Sequence, residues 1–296
     1  MKIATDINCF YQVYTEKETV KILAEAGFEA IDYTFMDKRY YNGEISDSEC
    51  RRYYTELKKY ACDQGVYFNQ SHAPCPSGSA DEAQSEILFE NIVRSLRNAS
   101  YMDIPTIVVH GKDHIKHYFD GGAEKLFEEN MAFYRRLKPY CEEYGIHVAL
   151  ENLPQMKSFA FGEKVVDSVC AAPEEFIRYL DTLGSDCFTA CLDIGHAMIT
   201  GHSPQDFIRS LGKERLTALH VHDNNGQKDW HTLPFEGGMA DWKEIMKALK
   251  EIGYTGDLTL EAGNFLISLP RELYPSGARM MADTGKYLRE LFEKAI

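Results

Sequence analysis

The chain has 296 residues, 44% of them hydrophobic and 26% charged, with 32 Lys and Arg against 46 Asp and Glu and a formal net charge of −14. These proportions belong to a folded chain with room for one large core, and they argue against disorder and against a general nucleic-acid binder, whose Lys and Arg must displace phosphate counterions. The N-terminal segment lacks the apolar core of a signal peptide, no run of about 18 apolar residues could span a membrane, and the 8 cysteines form no C-x-x-C pair, so a cytoplasmic protein with reduced, mostly buried thiols is expected.

Strand-like apolar runs alternate with amphipathic stretches along the whole chain. The first run, Ile3 to Ile7, leads to Thr15 and Glu18, a capping box that opens a helix, with Gly27 placed to end it. Ala30 to Tyr33 is the second strand; Ser46 and Glu49 open the next helix and Gly65 closes it. Val66 to Ser71 follows, then a third box at Ser79 and Glu82. The fourth strand is Thr106 to His110, and Gly145 ends the helix before the fifth, His147 to Glu151. Phe188 to Asp193 precedes a helix start at Ser203, Pro204 and Asp206. Thr217 to His222 and Leu258 to Glu261 complete the series, with a helix between them opened by Asp241 and Glu244 and closed by Gly253.

Eight strands alternating with helices predict an α/β fold of one domain over residues 1–296, a single (β/α)8 TIM barrel. No G-x-G-x-x-G fingerprint follows the first strand, which weighs against a nucleotide-binding doubly wound sheet. The long connections, Thr34 to Gly43, Gly111 to Gly122, Asn152 to Ala172, Asp223 to Ala240 and Ala262 to Ala278, all follow strands and so belong at the C-terminal face of a barrel. They carry Phe35, Tyr40, Tyr41, Tyr118, Phe119, Phe159, Phe161, Trp230, Phe235, Phe265 and Tyr274, rings suited to stack on a sugar or exclude water, or simply to pack the rim.

Polar residues of ligand type end six of the eight strands: His72, His110, Glu151, Asp193, the pair His220 and His222, and Glu261. In a parallel barrel these ends converge on one mouth, where carboxylates would repel one another and lose solvation unless a cation sat between them. A bound divalent metal resolves this, and the mixed oxygen and imidazole set does not decide among Mn, Zn, Co, Fe and Mg, nor between one and three ions. Asp229 and His231, in D-x-H spacing after the seventh strand, either complete a further metal position with His196 or form a loop salt bridge. His114, His117, His147 and His202 lack such placement and read as solvated or packing residues.

These residues resemble those of the xylose isomerase-like TIM barrels, a superfamily of sugar isomerases and epimerases that also holds endonuclease IV. The resemblance rests on Ala149-Leu150-Glu151-Asn152, on Cys191-Leu192-Asp193-Ile194-Gly195-His196, and on Leu219-His220-Val221-His222-Asp223-Asn224-Asn225-Gly226 with Asp229-Trp230-His231 and Gly237-Gly238-Met239-Ala240-Asp241-Trp242. The ketose 3-epimerase members imply one metal held by Glu151, Asp193, His220 and Glu261, the two glutamates serving as acid and base on opposite faces of a substrate carbon. His196 would touch the substrate, with His222 and Trp230 as further substrate contacts. Proton removal beside a carbonyl gives an enediolate whose charge a metal stabilises; return of the proton to the same carbon epimerises, and to its neighbour isomerises. The endonuclease IV members imply instead three zinc ions on His72, His110, Glu151, Asp193, His196, His220, Asp229, His231 and Glu261 and hydrolysis of abasic DNA, which the charge of −14 disfavours. A related lyase, dehydratase or sugar-binding barrel is the third reading. The expected partner is a small-molecule sugar, without nucleic acid or membrane, and a homo-oligomer is compatible with the sequence.

Overall fold

The computed structural model describes residues 1–11, 13–113, 115–154, 156–158, 164–166 and 168–296, with backbone alone for 115–121, 156–158 and 164–166. The apolar runs form strands β1 Ile3–Asp6, β2 Ala30–Thr34, β3 Tyr67–His72, β4 Thr106–Val108 and β5 His147–Glu151. After a two-stranded hairpin, β6 Met156–Ser158 and β7 Lys164–Val166, come β8 Phe188–Asp193, β9 Leu216–His220 and β10 Leu258–Leu260. Apart from the hairpin the strands are parallel, in the order β10-β1-β2-β3-β4-β5-β8-β9. Val221, just past β9, bridges Leu260 in parallel, its N–H donating to the Thr259 carbonyl at 2.8 Å while Glu261 N–H donates to Val221 O at 3.0 Å. These bonds join the two end strands, and the sheet closes as a (β/α)8 TIM barrel, as the alternation predicts.

Local signals explain most helix starts. The hydroxyls of Thr15 and Ser46 accept from the backbone N–H of Glu18 and Glu49, whose carboxylates reach back to the cap. Ser203 caps the helix that begins at Pro204, and Asp241 the one that begins at Trp242. The third box is not formed as expected. Asp81 caps Glu82–Tyr101 by accepting from Gln84 N–H at 2.7 Å, while Ser79 exchanges bonds with the Ser85 hydroxyl. A charged acceptor nearer the helix N-terminus outcompetes a hydroxyl two residues earlier.

Two connections also differ from expectation. Within Gly111 to Gly122 a helix already begins at Ile115; it runs to Tyr144 and is broken at Gly122, where φ is 73°. The Asn152 to Ala172 connection contains the β6–β7 hairpin. Phe159 and Phe161 lie outside the described residues, as do the side chains of Tyr118, Phe119 and His117 and the whole of His114. His147 is exposed, with Nδ1 3.3 Å from Pro105 O, and His202 packs edge-on to Phe207.

The main core lies between strands and helices, and a separate small cluster of Val108, Ala149, Cys191 and Ala218 sits inside the barrel. Because strand side chains alternate with period two, His110, Glu151, Asp193 and His220 stand two residues above these four, on the same inward face. Small residues below thus leave room for polar ones above. All cysteines are free; five are buried, Cys187 is half-buried, and Cys62 and Cys75 are exposed. Among the described residues no helix is long and apolar enough to cross a membrane.

Candidate metal centre

Glu151 ends β5, Asp193 ends β8, His220 ends β9 and Glu261 follows β10, so the closed barrel gathers four ligand atoms that lie within 4.8 Å of one another. His220 Nδ1 stands 2.8 Å from Glu151 Oε1 and 3.3 Å from Glu261 Oε2, while its Nε2 faces Asp32 Oδ2 at 3.3 Å. A carboxylate behind the far ring nitrogen fixes the ring orientation and leaves Nδ1 facing the two glutamates. Asp193 is held by its backbone: its N–H donates to Asn152 Oδ1 at 2.7 Å and its carbonyl accepts from Asn152 Nδ2 at 2.9 Å. Its Oδ1 accepts the His196 N–H at 2.6 Å, the N-cap bond of the short helix Ile194–Ile199.

Two further clusters flank this set. His196, His222, Asp229 and His231 form one, and His72, Cys75 and His110 the other. Glu151 joins the latter to the centre, since its Oε2 lies 2.8 Å from His110 Nε2, itself 3.0 Å from His72 Nε2. Three histidines are oriented by main-chain carbonyls: Nδ1 of His72, His196 and His231 sits 2.8, 2.9 and 3.0 Å from the oxygens of Ala73, Asn152 and Glu261. Each Nδ1–H donates there, leaving Nε2 free to ligate. Asp229 lies between His231 Nε2 at 3.0 Å and His196 Nε2 at 3.4 Å. His222 is fully buried, with Nε2 3.0 and 3.1 Å from the two Asp193 oxygens and its ring stacked on His231. Trp230 is half exposed at the rim, its carbonyl accepting from Asn264 Nδ2 at 2.7 Å. Asp223 braces the loop by accepting from Asn224 N–H, Ala240 N–H and Trp242 Nε1.

The site gathers carboxylates whose charge is met by imidazoles. Among the described residues, the ion pairs of Glu151, Asp193, Asp229 and Glu261 are all to histidine. Burial opposes the charge of Glu151, yet His220 and His110 outweigh it and hold the carboxyl well below its usual range. Burial likewise opposes a charged His196, but Asp193 and the Asp229 hydrogen bond lift it to about 9, and Asp229 with Glu261 lifts His231 to about 10. The carboxylates thus draw positive charge toward themselves, which a metal ion supplies more compactly than protons do.

Three residues at the mouth escape the sequence reading. Asp6 and Asp32 face each other in register on β1 and β2, two places above Ala4 and Ala30, so all eight barrel strands contribute polar groups rather than six. The same period-two signal marks them, since each stands two positions past a small inward residue, but both runs are read as strand without a ligand. Burial pushes Asp6 up to about 7, with Glu261 and Asp32 adding repulsion. Cys75 is exposed and its Sγ lies 3.4 Å from His110 Nδ1; the H-x-x-C spacing from His72 is its sequence mark. Burial opposes its ionisation, but His110 and His72 bring the thiol down to about 6.

A family model described as xylose isomerase-like TIM barrel matches residues 20–284. An uncharacterized protein of Methanocaldococcus jannaschii is 28% identical over 198 residues, covering 65% of this chain and 64% of that protein. The D-psicose 3-epimerase of Enterocloster bolteae is 25% identical over 232 residues, 74% of this chain and 71% of the relative. The chain spans less than two thirds of the length of the first curated relatives it matches, from 40% to 64%. Among solved structures, a D-tagatose 3-epimerase-like protein superposes with a TM-score of 0.78 at 23% identity, covering 99% of both chains. The IolI protein with a bound zinc atom superposes at 0.74 with 16% identity, covering 100% of this chain and 99% of the other. At these identities the structural matches speak for the fold.

Proposed function

We propose that this chain, which belongs to the xylose isomerase-like TIM barrel family, is a metal-dependent isomerase or epimerase of a small sugar, with Glu151 and Glu261 as its proton-transferring groups. The observation that carries this reading is the pair of glutamates meeting at one imidazole, Glu151 at 2.8 Å and Glu261 at 3.3 Å from His220 Nδ1, although they come from separate strands. Three buried or half-buried carboxylates and one imidazole nitrogen, with ligand atoms within 4.8 Å, fit a divalent cation held by Glu151, Asp193, His220 and Glu261. Such a cation, when bound, supplies a Lewis acid for the oxygens beside the reacting carbon.

The chain's own groups do the rest. Glu151 takes the proton from the substrate carbon, and Glu261 returns one from the other side. Return to the same carbon inverts it, and return to the neighbour moves the carbonyl. Asp32 holds the His220 ring, His222 steadies Asp193, and His196 with its partner Asp229 offers hydrogen bonds to substrate hydroxyls. Trp230, exposed in the same loop as Asp229 and His231, would cover a bound sugar.

The relatives favour this chemistry, since the curated ones include 3-epimerases of D-psicose and of fructoselysine. A second reading, phosphodiester hydrolysis by several zinc ions, draws on the two flanking clusters. Metal analysis separates the two: a single Mn, Co or Mg per active chain supports the isomerase, and three zincs the hydrolase. The deciding experiment incubates metal-loaded protein with a panel of ketoses in D2O. Carbon-bound deuterium should appear in at least one ketose and vanish in Glu151→Gln and Glu261→Gln. Absence of exchange across the panel, or exchange by the double variant, would overturn the proposal.

A further inference from the structure

Beside the metal centre, between the end of β1 and the segment after β10, lies a cavity of about 420 Å³ lined by Asp6, Asn8, His231, Glu261, Asn264 and Ile267 among others. Glu261 belongs both to this cavity and to the candidate metal set. A substrate whose reacting carbon lies at Glu261 therefore sends one end into it. Resting on the isomerase or epimerase reading above, we propose that this cavity receives the substrate's remote end, prefers one bearing an amine or hydroxyl over a phosphate ester, and that Asp6 is the residue that sets the preference.

Asp6 is 4% exposed, and although its Oδ2 accepts from Asn8 N–H at 3.0 Å, its Oδ1 has no hydrogen-bond partner. A buried carboxylate oxygen without a donor is costly, and a donor carried in by a ligand removes that cost. The surroundings sharpen the choice. Asp32 pairs in register with Asp6 and also has an unpartnered Oδ1, and Glu261 stands on the cavity wall. A phosphate needs Arg, Lys or a cluster of backbone N–H groups. Among the described residues lining the cavity there is no Lys or Arg, and Asp6 and Glu261 would repel a dianion there. An ammonium group instead gains a charge-assisted hydrogen bond, and a hydroxyl a simpler one. Asn8 and Asn264 can satisfy further hydroxyls, and Val13, Met36, Ile267 and Tyr274 cover the carbon chain.

The test uses three unreactive probes with the same carbon chain, glucamine, sorbitol and sorbitol 6-phosphate, titrated calorimetrically into Mn-loaded protein at about pH 8, where the Asp6 carboxyl is ionised and the amine still carries its proton. Glucamine should bind about tenfold more tightly than sorbitol, and sorbitol 6-phosphate at least about tenfold more weakly. In Asp6→Asn the advantage of glucamine over sorbitol should collapse. Ile267→Lys, on the exposed rim and independent of the buried carboxylate, should raise sorbitol 6-phosphate affinity and lower that of glucamine. The proposal is overturned if the phosphate ester binds as well as sorbitol, if Asp6→Asn leaves the order unchanged, or if no probe binds. Deuterium exchange on ketoses reads the catalytic proposal separately. Exchange without this binding order sinks only the present inference, and the order without exchange sinks only the catalytic one.

Discussion

Gly195, two residues past Asp193, is where the site has least room. A Cβ there would lie 1.9 Å from His222 Cε1 and 2.5 and 2.6 Å from its ring nitrogens. Nonbonded carbons settle at about 3.5–4.0 Å, so Gly195→Ala requires the imidazole to retreat by roughly 1.5–2 Å. The ring has nowhere to go. It is fully buried, its centroid is 4.0 Å from that of His231 with the planes 10° apart, and its Nε2 is tied to Asp193 at 3.0 Å. Overpacking costs about 1–3 kcal/mol and loss of a hydrogen bond to a charged group about 1.5–3, so about 2.5–6 kcal/mol is expected. At roughly 2 °C per kcal/mol for a chain of this size, the melting temperature should fall by about 5–12 °C. Thermal unfolding in chelator isolates the packing, and metal analysis of undialysed protein reports on the cluster. Gly65→Ala is the comparator: nothing lies within 4 Å of its Cβ, but φ is 83°, so only the left-handed strain of about 1–2 kcal/mol applies. If Gly195→Ala were no more damaging than Gly65→Ala and kept its metal, the crowding argument would be refuted.

Three other outcomes follow from the same geometry. Asp32→Asn removes the carboxylate behind His220 and should weaken Mn binding by about 10–100-fold with circular dichroism unchanged; calorimetric titration checks it, and an unaltered affinity refutes the orienting role. Burial opposes a charged His220, but Cys191, Glu261 and Glu151 raise its pKa well above the ordinary value, so an incoming cation must displace a proton. Mn affinity should therefore rise with pH and proton release should be measurable from titrations in buffers of different ionisation enthalpy; a pH-independent affinity counts against His220 as ligand. At the other end of the barrel, burial opposes a charged Glu29, but hydrogen bonds from Lys2, Ile3 N–H and Arg289 lower its pKa overall. With the folded pKa depressed, its contribution to stability is present above the unfolded value of about 4.3 and is lost as pH falls through the folded pKa. Glu29→Gln should flatten that acid-side loss in urea denaturation, and an unchanged pH profile would show that the network does not act through charge.

The sequence by itself determined the features that depend on residues close in the chain. Apolar runs such as Phe188 to Asp193 and caps such as Thr15 with Glu18 are local, and both stand in the structure where the sequence puts them. Local signals also compete, which is why Asp81 rather than Ser79 starts its helix. Strand ends carrying Glu151, Asp193, His220 and Glu261 were legible because a barrel brings all its strand ends to one face, so topology alone implies that they meet. The structure alone decided what depends on distances between remote residues. Asp6 and Asp32 end no conspicuous motif, and their closeness to Glu261 and His220 exists only once β1 and β2 pair and the barrel closes. Cys75 carries in the sequence only its H-x-x-C spacing from His72, and its approach to His110 is set by the fold. His222 and His231, one in a buried strand extension and one in a loop, become a stacked pair only in the fold, where the His222 ring fits because position 195 is a glycine. Periodicity and capping act over a few residues, whereas burial, ring orientation and charge are sums over neighbours that only the closed barrel supplies.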